Sequence, residues 1–117
     1  MPDAALIVLA GTESRSELGR VVNALQTARE FDEAGDDVVV VFDGAGTQWI
    51  PELADEDHKY HSLYAAVAEH VQACDYCADA YDVHEEIDES EATLESAFDG
   101  HPSVRSFVAD GYEIITY

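Results

Sequence analysis

Apolar residues are grouped along this chain in two ways, as short unbroken runs and as stripes recurring every three or four positions. Ala4 to Ala10 (Ala-Ala-Leu-Ile-Val-Leu-Ala) is a run of the first kind. Its length and lack of alternation predict a strand buried on both faces, as in parallel sheets. Gly11-Thr12-Glu13 turns the chain. Ser14 and Glu17 then stand at capping-box spacing before a stripe of Leu18, Val21, Val22, Leu25 and Ala28. That pattern predicts a helix, closed by Gly35 as a left-handed cap. Val38 to Phe42 repeats the buried-strand pattern and ends at Asp43-Gly44-Ala45-Gly46. Strand, helix and strand in so short a span imply a right-handed crossover and a parallel pair.

The second half is less regular. Gly46 to Ala54 reads as a short helix or an irregular lid with Trp49, Ile50 and Leu53 on its apolar side, and Asp55-Glu56-Asp57 breaks it. A helix is expected from about His58, with Leu63 and Val67 in register. A very short third strand, Val71 to Ala73, then leads to the cysteines. Asp75 to Asp82 is expected to be helical and Val83 to Glu91 an acidic connection. Ala92 to Phe98 fits either a fourth strand or a turn or two of helix, because so short a stretch has no decisive period. Pro102 suits the first turn of a helix ending at Gly111, with Val104, Phe107 and Val108 inward. Tyr112 to Tyr117, rich in β-branched and aromatic residues, predicts a final strand. The alternation gives an α/β, three-layer sandwich with a mostly parallel sheet of about five strands in one domain, residues 1–117.

Composition changes this picture at one point. The net charge is −21, from 26 acidic residues against five basic ones, yet 47% of residues are hydrophobic. The chain therefore has a core, and the acid is spread along its length as a solvated coat. We read that coat as halophilic, because salt near 1 M shortens the screening length to about 3 Å and relieves self-repulsion. No basic patch exists to neutralise phosphates, so no nucleic-acid partner is expected. Nor is a membrane expected, since no apolar run is long enough to span one. The expected location is cytoplasmic.

The chemistry centres on Cys74-Asp75-Tyr76-Cys77, which holds the only two cysteines of the chain. Ligands in open parallel sheets bind outside the carboxyl ends of the strands. Three segments arrive there: Gly11 to Ser14, Asp43 to Gly46, and Cys74 to Cys77. Cys74 is expected at a strand exit and helix start, facing solvent, where backbone N–H groups favour its thiolate. Gly11, Thr12, Asp43, Gly44, Asp75 and Tyr76 are the expected pocket residues. Asp43 also fits a plain Asp-Gly turn, and His101 before Pro102 a turn or cap. Other readings of the cysteines stay open. Cys-x-x-Cys after a strand also suits a dithiol redox centre. A helix running through from His58 would instead align His70, Cys74 and Cys77, with His84 as a fourth ligand for tetrahedral zinc. Both cysteines could equally be small buried hydrophobes of an interaction module.

The chain resembles the DsrE/DsrF-like family across nearly its whole length. The resemblance rests on the apolar first strand with its Gly-Thr turn and on Val-Val-Val-Phe-Asp-Gly-Ala. It rests further on Ala-Cys-Asp-Tyr-Cys-Ala-Asp-Ala-Tyr-Asp-Val and on the Gly-Tyr-Glu-Ile-Ile-Thr-Tyr end. The chain looks like an acidic, haloarchaeal-type member similar to the TusD-like proteins of sulfur relay. This implies a sulfurtransferase-type carrier that holds sulfane sulfur as a persulfide on Cys74, which has eight residues between it and Val83. Cys77 would be an additional, resolving thiol. No cofactor is implied; the implied partners are sulfur donor and acceptor proteins and further copies in a homo-oligomer. Asp75, Asp79 and Asp82 stand where TusD-like members include basic side chains, and nearby carboxylates oppose thiol ionisation.

Overall fold

The structure is a computed structural model and describes residues 2–117. Five parallel strands form one sheet: β1 (Ala4–Val8), β2 (Val38–Phe42), β3 (Val71–Cys74), β4 (Thr93–Glu95) and β5 (Glu113–Thr116). Among the described residues six α-helices accompany them: α1 (Arg15–Glu33), α2 (Trp49–Ala54), α3 (His61–Val67), α4 (Asp75–Ala80), α5 (His84–Asp88) and α6 (Val104–Ala109). The strand order is β4-β3-β2-β1-β5. The first three crossovers all step the same way across the sheet. Right-handed connections must then place α1 through α5 on one face. The fourth returns to the opposite edge and puts α6 on the other face. The result is the expected three-layer α/β/α sandwich, with an all-parallel sheet.

The two faces are unequal. Alternate residues of β1 and β2 (Leu6, Val8, Val40, Phe42) meet Val21, Leu25, Ile50, Leu53, Val67 and Ile87 in the main core. Ala5, Ile7, Val39 and Val41 point the other way and meet Phe107, Tyr112 and Ile114. Strands covered on both faces need apolar residues at every position, which is why β1 and β2 are unbroken runs. Leu25 is fully buried in the main core; its truncation to alanine would cost about 2–5 kcal/mol.

α1 starts where the capping box placed it. Ser14 Oγ accepts the Glu17 N–H at 3.2 Å, and Glu17 reaches back to the Gly11 N–H at 2.7 Å. β1 stops at Val8, two residues short of the apolar run, and Leu9 is half exposed. Gly44 to Gln48 is a 3-10 turn that runs directly into α2. It packs on β1 so closely that a Cβ on Gly46 would fall inside contact distance of the Val8 carbonyl oxygen.

Elsewhere the structure departs from expectation. α3 begins at His61, not His58, and a single 3-10 turn over Ala68–His70 separates it from β3. The acidic connection contains α5, and Ala92 to Phe98 resolves as strand β4 followed by a tight turn. α6 buries no residue fully; Val104 and Val108 are exposed, and of the predicted inward set Phe107 joins the second core cluster. Only one short helix covers that face, so its apolar stripe has little to pack against. No helix among the described residues is long and apolar enough to cross a membrane.

Candidate functional site

Cys74 is the last residue of β3 and the N-cap of α4. Its pairing with Glu95 of β4 and the extended conformation of the cap end the strand and turn the chain at once. The Cys77 N–H, one helical turn on, points back and donates to Cys74 Sγ at 3.4 Å. α4 has only six residues, so this single N–H bond, rather than a long helix dipole, is the donor that favours a sulfur anion here.

The turn after β4 supplies the next group. Asp99 and Gly100 both have positive φ, 49° and 85°, and the flanking Phe98 and His101 exchange two backbone hydrogen bonds of 2.8 Å. That is a two-residue hairpin of the type that Asp-Gly favours. The Gly100 carbonyl accepts the Tyr76 N–H at 2.9 Å, which ties the hairpin to α4. His101 is thereby brought over β3, with Nδ1 3.1 Å from Cys74 Sγ and its ring against that of Tyr76 at 4.9 Å.

Asp43 closes the group from the end of β2. Its carboxylate accepts the Gly44 N–H at 2.8 Å and the Cys77 thiol at 3.4 Å. Asp43, Cys74, Cys77 and His101 each offer a ligand-capable atom, all within 4.8 Å of one another. Cys74 is wholly buried, whereas Cys77, Asp43 and His101 are half-buried. The expectation that Cys74 faces open solvent is therefore corrected. The Asp99-Gly100 hairpin and Tyr76 fold back over the strand exit, so the thiol nearer solvent is Cys77.

Burial is the main force on the Cys74 thiol and pushes it up to about 12. The Cys77 N–H opposes this, while contact with the Cys77 thiol and the charge of Asp43 add to the rise. Alone, the thiol would stay protonated at neutral pH. Besides the Gly100 carbonyl, an acceptor at 3.9 Å, the thiol contacts His101 Nδ1 at 3.1 Å, which accepts its proton when the imidazole carries hydrogen on Nε2. The Cys77 thiol donates its hydrogen bond to the Asp43 carboxylate.

The other expected pocket residues divide. Asp43 and Gly44 lie at the site, and Tyr76 covers it. Asp75 turns away and bonds His84 Nε2 at 2.6 Å, tying α4 to α5. Gly11 meets Ala45 and the Trp49 indole, whose N–H donates to the Ala10 and Gly11 carbonyls at 3.0 Å. Gly11 and its neighbour Thr12 thus belong to the exit of β1, one strand further along. The expected zinc set of His70, Cys74, Cys77 and His84 is not assembled. β3 intervenes where the continuous helix was expected, and its length puts His70 at the opposite end, bonded to Asp32 at 2.8 Å. The strand order itself reverses between β1 and β5, over a groove lined by Leu9, Ala10, Glu17, Arg20, Thr116 and Tyr117. That switch point and the cysteine pair do not coincide. His101 is the functional candidate that sequence reasoning reduced to a turn residue; the Asp99-Gly100 dipeptide was the signal that could have placed it.

Comparison with known proteins adds relatives of unassigned role. No family model matches the chain. It is 32% identical over 95 residues to uncharacterized protein MJ0733 of Methanocaldococcus jannaschii, covering 81% of this chain and 78% of that protein. A solved structure of a conserved protein of unknown function, BT1422 from Bacteroides thetaiotaomicron, aligns with a TM-score of 0.65. The alignment covers 97% of this chain and 94% of that one, at 14% identity. At that identity the likeness is one of fold alone.

Proposed function

The chain belongs to the family of the Methanocaldococcus jannaschii protein MJ0733, and from its own chemistry we propose a sulfur-relay protein that carries sulfane sulfur on Cys74 and Cys77. One observation carries the reading. Two thiols share a strand exit, with His101 Nδ1 3.1 Å from Cys74 Sγ and the Asp43 carboxylate accepting a hydrogen bond from the Cys77 thiol at 3.4 Å. The resemblance to the DsrE/DsrF-like family supports it. Under this reading the partners are a sulfur donor and a sulfur acceptor, encountered in the cytoplasm by a homo-oligomer.

Cys77, nearer solvent, is the thiol a donor persulfide reaches first. Cys77, its thiol proton passing through solvent to the leaving group, attacks the outer sulfur of the donor R–S–SH; that S–S bond breaks, the donor leaves as R–SH, and Cys77–S–SH forms. Cys74, its proton taken by His101, then attacks the same outer sulfur. The sulfur moves to Cys74–S–SH, and the departing Cys77 thiolate regains a proton from His101. Delivery reverses these steps onto an acceptor thiol. No electrons are gained or lost overall. Storing the sulfur on the buried residue keeps it from water and stray thiols.

Intact mass after incubation with a small-molecule persulfide donor tests the proposal. The wild type should gain one sulfur atom. Cys77→Ser should gain it slowly, and Cys74→Ser should lose it rapidly to added thiol. A wild type that gains no sulfur sinks the relay reading.

A further inference from the structure

We infer that Asp43, Cys74, Cys77 and His101 form a binding site for a thiophilic divalent cation of the zinc class. Two sulfurs, an imidazole nitrogen and a carboxylate oxygen lie within 4.8 Å of one another. Tetrahedral zinc, with ligand bonds of about 2.0–2.3 Å, sets neighbouring donor atoms roughly 3.3–3.8 Å apart. The separations of 3.1 Å from Cys74 Sγ to His101 Nδ1 and 3.4 Å from Cys77 Sγ to Asp43 Oδ1 are close to that spacing. Small side-chain shifts complete the shell.

The donors come from four places in the fold: the end of β2, the end of β3, the first turn of α4 and the hairpin after β4. A lone Cys-x-x-Cys is a local pattern, but this convergence is a product of tertiary structure. Groups outside the shell already orient its members. The Gly44 N–H holds Asp43 at 2.8 Å, the Cys77 N–H holds Cys74 Sγ at 3.4 Å, and the Tyr76–Gly100 bond of 2.9 Å fixes the hairpin that carries His101. Supports of this kind set ligand geometry and favour the anionic ligand. Binding would release both thiol protons to solvent, leaving two thiolates and a carboxylate around the dication. Soft sulfur with imidazole selects zinc over magnesium or calcium, which prefer all-oxygen shells. That preference separates the site from the general attraction of cations to a chain of net charge −21.

The test uses the full chain, held reduced by a phosphine, stripped with a chelator and titrated with Co²⁺ alone. No sulfur donor is present, so the outcome is independent of the relay reading. A sulfur-to-cobalt charge-transfer band and the visible bands of tetrahedral Co²⁺ should appear and saturate at one ion per chain. Zn²⁺ should displace the ion, and excess Mg²⁺ should not. Asp43→Asn and His101→Ala should each weaken binding by at least on the order of 10- to 100-fold, whereas Asp32→Asn should leave it unchanged. X-ray absorption of the zinc-loaded wild type, which needs no variant to fold, should count two sulfur and two nitrogen or oxygen ligands. Absence of the thiolate band, displacement by Mg²⁺, full affinity in both variants, or any other ligand count overturns the inference.

Discussion

β3 has a histidine at each of its ends, and the two are put to different use. At the amino end His70 Nε2 lies 2.8 Å from Asp32 and 3.5 Å from Glu69, whose side chain is 71% exposed. At the carboxyl end His101 lies 3.1 Å from a sulfur with no exposure at all. The residue types overlap, since each group joins imidazole to carboxylate, but the surroundings do not. Water still reaches the first group, whose His70 and Asp32 side chains are 23% and 37% exposed, and a pair so screened contributes on the order of 1 kcal/mol. The second is walled in by a hairpin and a tyrosine, so each proton and each lone pair has few places to go. Similar side chains thus give a partly exposed tether at one end of a strand and a contact with a buried thiol at the other.

The sharpest way to break this comparison is to remove the sulfurs. A Cys74→Ser/Cys77→Ser variant should lose all persulfide uptake by intact mass, while an Asp32→Asn/His70→Ala variant should keep all of it. Equal behaviour of the two variants would erase the distinction between the ends.

Next in size is the loss of the imidazole beside Cys74. His101→Ala should slow movement of sulfur from Cys77 to Cys74 by on the order of 100-fold, the usual scale for a positioned base. Acid-quenched time courses with peptide mapping read this directly, and rates within a few-fold of wild type would remove His101 from the chemistry.

A pH series sharpens the contrast further. In the metal-free protein Cys74 faces Asp43, Cys77 and His101, and its folded-state pKa lies above the ordinary 9.0, at about 12. The unfolded chain therefore loses the thiol proton first. This contribution to stability is intact below pH 9 and declines as the pH rises toward 12. Urea midpoints at about pH 8 and about pH 10.5 should differ less for Cys74→Ala than for wild type. Tyr64 and Tyr112, also raised chiefly by burial, act in the same direction in both proteins and cancel in the comparison. Identical slopes would mean that the buried thiol is not held neutral.

The smallest effect is expected at the amino end. His70→Ala should change unfolding free energy by less than about 1 kcal/mol, and by still less in high salt. A larger loss would show the amino-end group to be more than a screened surface contact.

What could be read from the residues alone follows from range. β1, α1 and β2 were legible because Ala4 to Val8 and Val38 to Phe42 are unbroken apolar runs and Ser14 with Glu17 fixes the helix start. β3 and β4 have four and three residues, too few for any period to declare itself, and α5 was hidden in an acidic stretch whose one fully buried residue is Ile87. Cys74 could be placed at a strand exit, since an apolar run ends there. Its burial could not, because the cover arrives from Gly100 and His101, far along the chain and brought back by a turn of two residues. The same limit applies to Asp43, whose approach to Cys77 depends on β2 and β3 being neighbours in register, Phe42 against Ala73.

Gly46 makes no hydrogen bond to either cysteine, yet its lack of a side chain bears on both. The turn that begins at Asp43 rests directly on the backbone of β1, and a Cβ at position 46 would strike the Val8 carbonyl, an atom that cannot rotate aside. Even alanine would lift the turn off the sheet and swing the carboxylate out of reach of its thiol. A position with no side chain therefore sets the tolerance within which Asp43 and Cys77 meet.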